Sequence, residues 1–154
     1  MLKRGVPQGS VVGPLLFNVF LNDLFYKITD VNVYNYADYN SLSFHHPDPQ
    51  YLQQVLEHSA DQAITWLTNN KMKVNPQKFQ AISFSRNQDS CITNFNIAGN
   101  NVVTQDTVKL LGVTFDKELK FDKHTSILCR KTAQQLRAFL RISISLKYES
   151  CLKV

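Results

Sequence analysis

The sequence predicts an α+β fold, a small antiparallel sheet packed on helices. Two observations carry this. Leu15 to Leu24 and Leu52 to Leu67 repeat their apolar residues at helical spacing. Between and after them lie short runs rich in Val, Ile, Thr, Tyr and Phe, bounded by Gly, Asn, Asp and Pro, which read as strands and tight turns. A length of 154 residues allows one domain with a real core, not two comfortable ones.

Each element has a local reason. Pro7 to Ser10 is turn chemistry, with Pro fixing φ and Gly9 permitting a positive one. A helix starts after Gly13, with Pro14 at its first position. It runs to about Tyr26 with Leu15, Leu16, Val19, Phe20 and Leu24 on its apolar face, Phe17 and Leu21 flanking, and Asn18, Asn22 and Asp23 opposite. Val31 to Tyr36 is a strand and Ser41 to Phe44 its antiparallel return, so Asp38 sits at a hairpin turn. His45 to Pro49 breaks the chain before the best amphipathic helix, 50–70, whose face carries Leu52, Val55, Leu56, Ala60, Ala63, Ile64, Trp66 and Leu67. Asn69 and Asn70 end it. A bend at 74–78 precedes a strand at 81–85. A second hairpin turns at Ala98-Gly99-Asn100. Val108 to Phe115 is a strand carrying Gly112. A last helix, His124 to about Ile142, sets Ile127, Leu128, Leu136, Phe139 and Leu140 against a basic face of Arg130, Lys131, Arg137 and Arg141; residues 142–154 are ambiguous.

Composition narrows the function classes. With 44% hydrophobic and 19% charged residues the chain is globular, not disordered. The net charge of +5 is unevenly spread: residues 1–60 sum to −2 and residues 61–154 to +7. A basic second half suits a polyanionic partner such as nucleic acid. Cys91, Cys129 and Cys151 lie far apart without ligand spacing, so they read as reduced thiols of an intracellular protein. Lys3 and Arg4 before an apolar run mimic a signal peptide. Pro7 to Ser10 separate the two, however, and Asn18, Asn22 and Asp23 interrupt the run. No stretch is long and apolar enough to span a membrane, and the expected location is cytoplasm or nucleus. His45, His46 and Asp48 lack a third fixed ligand and make a poor metal site.

Four stretches carry a resemblance. Residues 4–24 read RGVPQGSVVGPLLFNVFLNDL, and residues 36–39 read YADY. They resemble the PQG motif and the YADD turn of reverse transcriptases from LINE-type, non-LTR retrotransposons. WLTNNKMKVNPQK (66–78) resembles the palm segment that follows. Lys109 to Val113, Phe115-Asp116, Leu119 and His124 resemble the primer-grip hairpin and its exit. The likeness covers nearly the whole chain in order and spacing. It implies a partial palm at 1–116 and a connector with the start of a thumb helix at 117–154.

The resemblance also implies roles. The family reaction is Mg²⁺-dependent, template-directed nucleotidyl transfer on an RNA template and a DNA primer. Asp38 becomes the metal-binding, catalytic carboxylate. Pro7, Gln8 and Gly9 lie against nucleotide and template, Lys78 near the triphosphate, and Leu111 and Gly112 in the primer grip. Two carboxylate-bound ions activate the primer hydroxyl and neutralise the triphosphate. The sequence departs from the pattern twice. Position 39 is Tyr, a neutral phenol at pH 7, where the family has Asp. The family's other essential aspartate lies upstream of the PQG turn, and this chain starts three residues before that motif. The expectation is a degenerate fragment, inactive alone; the alternatives are a nucleic-acid-binding remnant or one piece of an interrupted enzyme.

Overall fold

The computed structural model describes residues 9–84 and 92–151, with side chains as far as residue 142. Within them the order is α1 (Gly13–Lys27), β1 (Asn32–Tyr36), β2 (Tyr39–Ser43), α2 (Pro49–Asn69), a 3-10 turn (Pro76–Lys78), β3 (Asn94–Ile97), β4 (Asn100–Val103), β5 (Thr107–Leu110), β6 (Val113–Asp116) and α3 (Asp122–Cys151). The predicted α+β class holds. The sheet, however, is three separate antiparallel hairpins, β1-β2, β3-β4 and β5-β6.

The core forms where α1, α2 and β1-β2 meet. Leu21, Leu24, Ile28, Val31, Trp66 and Leu67 are buried together, with Phe17, Val33, Leu42, Val55, Leu56, Ala63, Met72 and Val74 packed around them. Phe20 tilts onto Trp66 with ring centroids 5.6 Å apart. The face of α1 differs from the expected one. Phe17, Leu21, Leu24 and Ile28 point inward at i, i+4, i+7 and i+11, while Leu15, Leu16 and Val19 are exposed. The physical reason is that α1 is apolar on most sides, so periodicity alone does not fix its phase.

The other helix boundaries follow local chemistry. Asp48 caps α2, its carboxylate accepting the Gln50 N–H at 2.9 Å, with Pro49 in the first turn. His46 belongs to the same turn: its Nδ1 accepts the Asp48 N–H at 3.1 Å and its ring lies against Tyr51. At the far end the Asn70 amide donates to the Trp66 carbonyl at 2.9 Å.

On its polar side α2 closes the edge of β3. Gln53 Nε2 donates to the Asn94 carbonyl (3.2 Å), Glu57 Oε1 accepts the Asn96 N–H (2.7 Å), and Asp61 Oδ1 accepts the Ala98 N–H (2.7 Å). Four helical residues rise about 6 Å and two strand residues about 6.6 Å, so side chains at i, i+4 and i+8 match every second strand residue. An exposed strand edge is thereby satisfied. Ile92, Phe95 and Val102 are buried nearby, as is Ser59, whose hydroxyl has no partner among the described residues.

Three expectations change in the second half. The strand over 81–85 reduces to a parallel bridge between Ala81 and Thr104, and Ser85 lies outside the described residues. The single strand over 108–115 is a hairpin, because Leu111 and Gly112 both take positive φ (+49° and +89°) and fold it back. The last helix begins at Asp122 and continues through the ambiguous stretch to Cys151. Its predicted apolar face is not a buried one: Leu128, Leu136, Phe139 and Leu140 are at least half-exposed or nearly so, and Ile127 faces inward on a different side.

Candidate functional site

Asp38 stands at the tip of β1-β2. Tyr36 pairs with Tyr39, leaving Ala37 and Asp38 as the two turn residues. Ala37 has φ +52°, a conformation costing an L-residue about 1–2 kcal/mol. The two other hairpins put Gly99 and Gly112 at the position Asp38 occupies here. The strain is held by Asn35. Its Nδ2 lies 3.1 Å from the Ala37 carbonyl, 3.3 Å from the Tyr39 carbonyl and 2.8 Å from Asn40 Oδ1. Two N–H bonds cannot fully serve three acceptors, so the amide is shared across the turn. Asn35, a neutral amide and a poor ligand for Mg²⁺, is in the fold the brace of the turn. The signal available was its pairing with Asn40 across a two-residue loop.

Val33 and Leu42 on this hairpin pack against the core, so the tip is displayed from a supported base. Asp38 and Tyr39 are both exposed. Of the turn before α1, Gly9 is exposed with φ +81° and open space where a Cβ would stand, while Pro7 and Gln8 lie outside the described residues. Lys78 ends the 3-10 turn, exposed, its N–H donated to the Asn75 carbonyl at 3.0 Å. Leu111 and Gly112 form the exposed tip of β5-β6. The described ion pairs, Lys117 with Asp106 and Lys120 with Glu118, involve none of these residues.

The donor set can be compared with what Mg²⁺ requires. That ion takes hard oxygens in near-octahedral array, and two-ion chemistry requires several carboxylates around one point. Asp38 supplies one carboxylate, flanked by a phenol and two amides. Among the described residues no group of three or more His, Cys, Asp or Glu comes together. The described residues therefore fall short of a two-ion site.

The basic helix is sharper than expected. At about 100° per residue, Lys123, Arg130, Arg137 and Arg141 share an arc of about 40° along α3, and Lys131 lies about 100° away from it. All four are exposed. Grouping by sequence alone includes Lys131 and omits Lys123.

Asp38 thus stands at the tip of a helix-backed hairpin, preceded by a Gly turn and helix and followed by a basic helix. Similarity to known proteins identifies the class. A family model described as "Reverse transcriptase (RNA-dependent DNA polymerase)" matches residues 1–115. The chain is 32% identical over 151 residues to the "Probable RNA-directed DNA polymerase from transposon BS" of Drosophila melanogaster, covering 91% of this chain and 17% of that protein. It is 28% identical over 130 residues to the "RNA-directed DNA polymerase from mobile element jockey" of the same organism, covering 80% of this chain and 14% of that protein. No solved structure matches. The chain belongs to the reverse transcriptase family, and the resemblance to retrotransposon enzymes of the LINE type is borne out. It spans about one-sixth or less of the length of these relatives.

Proposed function

We propose that the chain supplies the carboxylate-turn part of a Mg²⁺-dependent RNA-directed DNA polymerase and does not complete the reaction by itself. The observation that carries this is the hairpin tip, where Asp38 is followed by Tyr39 and neighboured by amides. In this reading Asp38 is the metal contact. Gly9, with Pro7 and Gln8, lies along nucleotide and template. Lys78 faces the triphosphate, and Leu111 and Gly112 touch the primer strand. The phenol at position 39 supplies no negative charge, so the remaining carboxylates of a working site come from residues other than those described. Leu15, Leu16, Val19 and Tyr26 leave an apolar side of α1 exposed, which suits packing against further polypeptide.

Primer extension on an RNA template with a DNA primer, in Mg²⁺ or Mn²⁺, tests the proposal. The isolated chain is expected to give no template-dependent product, and Tyr39→Asp alone is not expected to restore it. Template-dependent synthesis by the unaltered chain would refute it.

A second reading is favoured by the stripe on α3: binding of nucleic acid without chemistry. Four aligned cations predict affinity for an RNA–DNA hybrid that falls steeply with salt. Binding that ignores salt, or no binding, would count against it.

A further inference from the structure

The chain between β6 and α3 is wound around one carboxylate. Asp116 Oδ1 accepts the N–H groups of Glu118 (3.1 Å) and Lys120 (2.9 Å), and Oδ2 accepts that of Phe121 (2.6 Å). These bonds hold Leu119 and Phe121 at positive φ (+56° and +60°), where side chains are ordinarily disfavoured. The Phe121 ring meets the edge of Phe115 at 5.6 Å, and its carbonyl accepts the Thr125 N–H at 2.9 Å. From the helix, His124 Nδ1 accepts the Thr114 N–H of β6 at 3.3 Å, and Lys123 Nζ donates to Thr107 of β5 at 3.2 Å. The first turn of α3 is thus tied to both strands of one hairpin. Beyond Ile127, every side chain to Ile142 is exposed.

We infer that Asp116 and His124 are positioning residues: they lock the direction and rotational phase of α3 to β5-β6, so that Lys123, Arg130, Arg137 and Arg141 meet a nucleic-acid backbone in fixed relation to the Leu111-Gly112 turn. This rests on the nucleic-acid reading of the stripe given above. The lever is long. From Asp122 to Arg141 the helix rises about 29 Å, so a tilt of about 10° at its base moves the last arginine about 5 Å. Successive phosphates on one strand advance about 3.4 Å, so that tilt takes the stripe out of register by more than one nucleotide. Hairpin and helix act as a single rigid grip only while the joint is closed. The lowered pKa of Asp116, caused chiefly by the Lys120 N–H, is in keeping with a carboxylate held in its charged form.

The test uses the full chain with Cys91, Cys129 and Cys151 changed to serine and spin labels at Lys109→Cys on β5 and Gln135→Cys on α3. The unaltered joint is expected to give one narrow distance distribution. Asp116→Ala is expected to broaden it about twofold, weaken binding to an RNA–DNA hybrid about tenfold and flatten its salt dependence, because fewer phosphates are neutralised together. Asp116→Asn, which keeps one acceptor oxygen, falls between the two. Emission of Trp66, buried in the distant core, is expected to stay unchanged in both variants. An unaltered distribution in Asp116→Ala overturns the proposal. So does a broadened one with affinity and salt slope intact. If Asp116→Ala unfolds the core, seen as a red shift of Trp66, His124→Gln takes its place in the same measurements, and the same two outcomes overturn the proposal. If the unaltered chain binds no hybrid at any salt, the nucleic-acid reading fails and takes this role with it, while the distance data still decide whether the joint is rigid.

Discussion

The hairpins β1-β2 and β5-β6 are built alike and anchored by different forces. Each pairs short strands through a two-residue turn whose first residue, Ala37 or Leu111, has positive φ. β1-β2 rests on the core through Val33 and Leu42, and its tip is braced by the Asn35 amide. β5-β6 has only half-buried inward residues and is tied at its open end by the Asp116 carboxylate. Apolar burial is non-directional and strong, which suits a hairpin that must stay in place. Hydrogen bonds to one carboxylate are directional, which suits a hairpin that must aim a helix.

The largest effect separating the two is expected from Leu24→Ala. Leu24 is 1% exposed, and its truncation is expected to destabilise the fold by about 2–5 kcal/mol. Denaturant titration followed by Trp66 fluorescence reads the loss, and amide exchange should rise in β1-β2 before β5-β6. Equal loss in both hairpins would break the distinction. Asn35→Ala comes next. It removes the shared brace and is expected to cost about 1–2 kcal/mol, with faster exchange confined to residues 36–40. Ala37→Gly is smaller and opposite in sign. Relief of about 1–2 kcal/mol of strain, less about 0.5–1 of added chain entropy, leaves about 0.5 kcal/mol of stabilisation by thermal melting.

The mildest probe is acid, and it acts on the other hairpin. The N–H groups of Lys120, then of Phe121 and Glu118, hold the Asp116 carboxyl below its ordinary value of 3.8, with desolvation opposing them in part. The carboxylate's stabilising contribution is therefore complete above that value and is lost as pH falls through the lowered one. Exchange at the base of α3 is expected to rise only in that acid range. In Asp116→Asn this pH dependence should vanish.

Much of this is legible in the sequence because it is local. The helix expected over 50–70 and found at Pro49–Asn69, its stop at Asn69-Asn70, the hairpin presenting Asp38 and the turn within 98–100 follow from period and turn residues, whereas Asp48, expected only as part of a break, proves to be the helix cap. The phase of α1 is not, since residues 15–20 are apolar at five of six positions and only tertiary contact chooses among them. The fold-back at Leu111-Gly112 is hidden from the residue pattern because a leucine occupies a turn position; the likeness to a primer-grip hairpin indicates it. Asn35 and Asp116 are legible as residue types and not as braces, since their tasks depend on carbonyl and N–H groups that converge only after folding. The site residues remain assignments by motif, with Asp38 the best framed by the structure.

The contact between α2 and β3 works like meshing teeth. Gln53, Glu57 and Asp61 advance four residues for each two of Asn94, Asn96 and Ala98. Substitution at any one tooth leaves the others engaged. Insertion or deletion of a single residue between Gln53 and Asp61, or between Asn94 and Ala98, puts every later tooth out of mesh. This segment can therefore drift in composition while its length stays fixed, and changes of length are expected only outside the two toothed stretches.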